Sequence, residues 1–137
     1  MRFLLLAALV SITACAKEDA PAPALPAGVY PGSGRDALCI AGQGGAQRAG
    51  FVVYGADDAN CSAGGRIEAA GDGWTLIPVG DLACKIPLSV AAGRVSIGRV
   101  PPACAYYCGP GVTLNGKSFG PVTQGKPPTD LAGDPLC

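Results

Sequence analysis

Gly65-Arg66-Ile67-Glu68-Ala69-Ala70-Gly71-Asp72-Gly73-Trp74-Thr75-Leu76-Ile77-Pro78-Val79 is the stretch that decides the fold. Arg66-Ile67-Glu68 alternates polar and apolar side chains, the period of a strand with one buried face. Gly71-Asp72 then interrupts the run, and an aromatic and apolar run resumes at Gly73. A glycine-rich pair between two such runs reads as a hairpin turn. Residues 65–70 and 73–79 are therefore expected to pair as antiparallel strands.

The same rhythm extends in both directions. Strands are expected at 37–41 (ALCIA), 49–54 (AGFVVY), 84–90 (CKIPLSV) and 94–99 (RVSIGR). Turn chemistry separates them at Gly42 to Gln47, Ala56 to Asn60, Gly80-Asp81 and Ala91 to Gly93. Pro78 and Pro87 are expected near strand ends or edges, where a missing N–H is tolerated. No stretch after residue 15 keeps a helical period. The reading is all-β: a small antiparallel meander of about six strands, closed as a barrel or folded as a sandwich. Alternating strand directions would gather the disulfides at one pole.

After Arg99 the character changes. Pro101-Pro102-Ala103-Cys104-Ala105-Tyr106-Tyr107-Cys108-Gly109 carries proline in front and glycine behind, which predicts one short helical turn near 102–108. On such a turn Cys104 and Cys108 share a face and bond to different partners. Val112 to Phe119 holds at most one further short element. Residues 121–137 form a Pro- and Gly-rich tail that Cys137 would pin.

The chain opens with Met1-Arg2-Phe3 and an apolar run to Ile12, then Thr13-Ala14-Cys15. The run is too short to span a bilayer, which takes roughly 20 residues. It fits a secretory signal, and Ile12-Thr13-Ala14-Cys15 resembles the bacterial lipobox. The resemblance implies cleavage before Cys15 and acylation of that residue. With about 0.8 kcal/mol per buried methylene, several acyl chains make a lasting anchor. The expected organisation is a signal peptide at 1–14, a lipidated Cys15 with a Pro/Ala tether to residue 27, a β domain at 28–120 and the tail at 121–137. In polyproline II, at about 3.1 Å per residue, the tether would hold the domain roughly 35 Å from the membrane. No Asp follows Cys15; by resemblance to other lipoproteins, this places the chain at the outer membrane, facing the periplasm.

Charged residues make up 15% of the chain and sum to zero, which leaves no electrostatic footprint for nucleic acid. Seven cysteines are present. With Cys15 acylated, Cys39, Cys61, Cys84, Cys104, Cys108 and Cys137 form an even set in an exported chain, the pattern of a disulfide framework. We expect Cys137 to join Cys104 or Cys108, and Cys39 to join Cys61 or Cys84. With no histidine and no pair of Cys-x-x-Cys knuckles, neither a metal nor another cofactor is predicted.

Candidate chemistry is sparse. The absence of histidine rules out Ser-His and Cys-His nucleophile schemes. The acids sit mostly in turns or the tether, and Glu68 falls on the polar side of its strand. Asp57-Asp58-Ala59-Asn60 lacks the alternating ligands of a calcium loop. Gly42-Gln43-Gly44-Gly45 precedes no helix and reads as a hairpin rather than a phosphate cradle. Asn60-Cys61-Ser62 matches a glycosylation triplet, which carries little meaning in a bacterial chain. Tyr106 and Tyr107 are the candidate binding surface, because adjacent tyrosines on one turn cannot both point inward.

The segments LCIAG (38–42), ANCSAGGRIE (59–68), ACKIPL (83–88), ACAYYCGPG (103–111) and DLAGDPLC (130–137) resemble small proteobacterial lipoproteins. The likeness brings no activity with it. The expected function is a membrane-anchored, non-enzymatic envelope module, either binding an envelope protein or component or serving as a structural or assembly accessory. One alternative is a protein binder like the small periplasmic lysozyme inhibitors, a likeness of architecture only. The other is an envelope enzyme or thiol oxidoreductase using Cys104 and Cys108.

Overall fold

The computed structural model describes residues 25–137. The expected signal peptide, the lipidation site Cys15 and the tether up to residue 24 lie outside the described residues. Eight strands form one antiparallel sheet in which each pairs with its neighbours in sequence: β1 (Gly28–Pro31), β2 (Ala37–Ala41), β3 (Arg48–Tyr54), β4 (Asn60–Ala70), β5 (Gly73–Pro78), β6 (Ile86–Ala91), β7 (Arg94–Ile97) and β8 (Ser118–Phe119). The meander is as expected, with β1 and β8 added at its ends. β4 starts at Asn60 rather than Gly65. The helical segments among the described residues are short 3-10 turns, the longest being Pro102–Tyr107.

The sheet curls until its ends meet. Gly120 N–H donates to the Pro31 carbonyl (2.8 Å), and Val29 and Thr123 exchange two backbone hydrogen bonds (2.9 and 2.7 Å). This pairing satisfies edge groups that would otherwise be open to other chains. The result is a nearly closed barrel, and its closure reaches past residue 120 into the tail. Leu38 and Ile40 of β2, Phe51 and Val53 of β3, Leu76 of β5 and Phe119 of β8 all join the buried core. Side chains fill the interior, as in other small barrels.

The tail lies on the outside of the wall. Cys39, Gly50 and Gly64 stand side by side across β2, β3 and β4, on the face opposite to the core residues. A Cβ built on Gly50 would stand 2.2 Å from the Leu136 carbonyl oxygen, and one on Gly64 would stand 2.4 Å from it. The two glycines thus make the groove in which residues 136–137 lie. Cys137 bonds to Cys39 there, with 6.1 Å between the Cα atoms. Both expected pairings are corrected: Cys137 does not reach the 104–108 turn, and Cys39 joins neither Cys61 nor Cys84. Cys39 sits mid-strand and faces outward, whereas Cys61 and Cys84 belong to the inner core. The bridges accordingly do not all gather at one pole.

Alternating strands give the barrel two ends. The near pole carries the turns at 42–47, 71–72 and 92–93. The described chain enters there: Leu25 is buried, and its carbonyl accepts a hydrogen bond from Gln47 Nε2 (2.7 Å). The far pole carries the loops 32–36, 55–59, 79–85 and 98–117.

Candidate functional site

The 3-10 turn Pro102–Tyr107 plugs the far pole. Pro102 starts it without forfeiting a needed donor, since the first N–H groups of a helical turn have no partner in the turn. Cys104 is buried and bonds to Cys84, with 4.7 Å between Cα atoms. Cys108 bonds to Cys61 at the start of β4, with 4.0 Å between Cα atoms. Gly109 N–H also donates to the Asn60 carbonyl (2.8 Å). Two covalent links four residues apart therefore staple the plug to β4 and to the loop before β6. Both bridges put a buried sulfur into the core, an environment for structural cysteines rather than exchanging ones.

The plug holds its two tyrosines differently. Tyr107 is half-buried, and its hydroxyl donates to Asp81 Oδ2 (3.1 Å). The other oxygen of Asp81 accepts from the backbone N–H groups of Ala83 (3.0 Å) and Cys84 (3.1 Å). Asp81 thus caps the loop that carries Cys84 and ties it to the plug. Partial burial pushes the Tyr107 hydroxyl above the ordinary tyrosine range, and its hydrogen bond to Asp81 adds to the shift. Tyr106 packs edge-on against Tyr107, with 5.4 Å between ring centroids and 88° between planes. Tyr106 is nevertheless 88% exposed.

A second exposed apolar side chain faces the same hollow. Leu131 is 89% exposed and sits on a small turn of the tail, where Thr129 and Pro135 pair. Asp130 Oδ1 holds that turn by accepting from Ala132 N–H (2.8 Å) and Asp134 N–H (2.9 Å). Tyr106, Tyr107 and Leu131 line an open hollow of about 450 Å³, together with Ala59, Asn60, Ser62, Cys108 and Gly109. The plug side is held by the bridges at Cys61 and Cys84, and the tail side by Cys39–Cys137. Of the six bridged cysteines, Cys108 lines the hollow directly. Leu131 was not among the expected site residues. Its signal in the sequence is a large apolar residue inside the turn Asp130-Leu131-Ala132-Gly133-Asp134, where polar or small residues are usual.

Other polar groups of the far pole and of β4 have structural partners. Arg35 pairs with Asp58 and lies 4.0 Å from the centre of the Tyr54 ring, joining two far-pole loops. Asp36 is buried, accepts from Tyr54 N–H (2.8 Å) and pairs with Lys117 (3.5 Å). Glu68 pairs with Arg66 on the exposed face of β4 (2.8 Å). A second hollow lies between the plug and residues 112–115. Two of its polar side chains brace the loop itself: Asn115 Oδ1 accepts from Val100 N–H (2.8 Å), and Thr113 Oγ1 accepts from Asn115 N–H (3.3 Å). Among the described residues, no group of three Cys, Asp or Glu side chains is placed to hold a metal ion. No family model, curated protein or solved structure matches this chain.

Proposed function

We propose that the protein is a lipid-anchored module of the bacterial cell envelope that binds another envelope component through its far pole. In this reading Cys15 carries the lipid, the outer membrane holds it, and the domain faces the periplasm. It is a binding module and not an enzyme. The observation that carries the reading is the pairing of Tyr106 and Leu131, two large apolar side chains left in solvent on either side of one hollow. Ordinary surfaces expose apolar residues singly. Here two separate chain segments are covalently fixed so that both remain exposed.

Placement supports the same reading. Leu25 enters at the near pole, and the hollow lies at the opposite end of the barrel. An anchor preceding Leu25 leaves the hollow turned away from the membrane. Photo-crosslinking in intact cells tests this, with a crosslinker at position 106 and a control at Gln43 on the near pole. A specific adduct at 106 and none at 43 is expected. Equal labelling at both positions, or none, would count against a far-pole binding site. Intact-mass measurement of the membrane-extracted protein tests the anchor and should show an acylated Cys15.

A further inference from the structure

We infer that the hollow between Tyr106 and Leu131 takes an N-acetylated sugar ring of the cell-wall glycan. This rests on the binding-module reading above and names its ligand class. The first argument is charge. The far-pole loops carry Arg35, Asp36, Asp57, Asp58, Asp81, Lys85, Arg99 and Lys117, yet none of the residues lining the hollow is charged. A charged ligand would find no counter-charge in it, whereas a neutral polar one loses nothing by entering.

The second argument is the kind of polar group on offer. Asn60 Nδ2 makes only a long hydrogen bond (3.4 Å) to the Asp58 carbonyl, and Asn60 Oδ1 has no partner among the described residues. The hydroxyl of Ser62 likewise bonds to no other described residue. An acetamido group offers one donor and one acceptor, the complement of a side-chain amide. Ring hydroxyls suit Ser62, and the C–H face of a sugar ring suits the negative face of the Tyr106 ring. Leu131 offers apolar surface to the acetamido methyl.

The third argument is size and fixity. A hollow of about 450 Å³ falls in the range of sites for small ligands, a few hundred to a thousand Å³. Walls held by disulfides need little further ordering on binding, so weak polar contacts suffice. A protein partner would have to cover about 800 Å² on each side, and here most of that area would fall on loops of mixed charge. The hollow points away from the chain entry, which favours a glycan strand lying off the membrane over a saccharide headgroup within it.

Calorimetric titration of the full mature chain in detergent, with a tetramer of N-acetylglucosamine as the probe, tests the inference. Saturable binding is expected. Tyr106→Ala should weaken it about tenfold, while Tyr106→Phe, which keeps the ring, should change it little. Leu131→Ser should also weaken it. Both positions are exposed, so the variants fold, and circular dichroism confirms this independently. Maltotetraose, which lacks the acetamido group, should bind poorly; equal binding would overturn the role given to Asn60. If lipopolysaccharide saccharide competes for the hollow and isolated cell-wall glycan does not, the commitment to a strand off the membrane is wrong. If no sugar binds while position 106 still crosslinks to a protein in cells, the glycan inference falls and the binding-module reading stands. If neither occurs, both fall.

Discussion

The two poles of the barrel are built from the same strands and could hardly be more different. The near pole has three short turns made mostly of glycine and alanine, with Asp72 as their sole charge. The far pole has four loops, of which 79–85 and 98–117 are longer than any near-pole turn, and it carries two disulfides, a plug and most of the loop charges. Short turns are enough to reverse a strand, so the extra chain at the far pole is not needed to complete the barrel. Covalent links there hold residues that bury little themselves, Tyr106 above all. On the proposed reading, the near pole serves the fold and the far pole presents a surface.

The largest test of that contrast removes both far-pole bridges by replacing Cys61, Cys84, Cys104 and Cys108 with alanine. Each lost bridge should cost roughly 2–5 kcal/mol in denaturant unfolding. Hydrogen exchange should then rise first in the plug and in residues 79–85, with the near-pole turns protected for longer. Uniform loss of protection would show that the two ends do not fold independently.

Gly64→Val comes next. The new side chain would meet the Leu136 carbonyl, and such overpacking costs about 1–3 kcal/mol. Its specific signature is faster reduction of Cys39–Cys137, while the two buried far-pole bridges stay protected. Equal acceleration of all three would deny that the tail is a separate element.

Tyr107→Phe deletes the hydrogen bond to Asp81 and should cost about 1 kcal/mol. Burial of the Tyr107 hydroxyl, with this bond adding to it, also sets a pH dependence. Folding raises the Tyr107 pKa, so its contribution is complete below the unfolded value of about 10 and is lost as pH rises through the higher folded value. The wild type should therefore lose stability above pH 10 more steeply than the phenylalanine variant, as read by unfolding midpoints across alkaline pH. Tyr30, buried in the barrel and also raised, contributes equally to both proteins.

The smallest effect belongs to the near pole. An added Cβ at Gly45 meets no atom within 4 Å, and Gly45 is not among the positive-φ glycines. Gly45→Ala should raise stability by about 0.4–1 kcal/mol by restricting the unfolded chain. A loss measured by thermal unfolding would mean that this turn is more constrained than the contrast implies.

Much of the wall was legible because its strands keep a period of two between clear turn signals. The hairpin at 65–79 is the clearest case. β1 was not read as a strand, since Gly28-Val29-Tyr30-Pro31 is four residues long and ends in proline. The first half of β4 was missed for a different reason. Asn60-Cys61-Ser62-Ala63-Gly64 has the composition of a turn, yet Gly64 is small because the tail crosses it. The Cys39–Cys137 pairing was hidden at the same place. Its signal is the row Cys39, Gly50, Gly64, and that row exists only once the register of three strands is known. At the site, the tyrosine pair stands out in the sequence by its density, whereas Leu131 comes to the hollow through a long-range path of the tail.

The three bridges also impose an order on assembly. Cys84–Cys104 lies within the span of Cys61–Cys108, which lies within that of Cys39–Cys137; their separations are 20, 47 and 98 residues. A chain emerging amino end first shows Cys39, then Cys61, then Cys84, and none of these has its native partner yet. An oxidant acting in order of appearance would join Cys39 to Cys61, leaving one outward-facing and one inward-facing sulfur locked together. In order of emergence, the native pairs become complete from the inside out, starting with Cys84–Cys104. For an exported chain, oxidation in step with emergence would therefore leave non-native links that thiol–disulfide exchange must reopen.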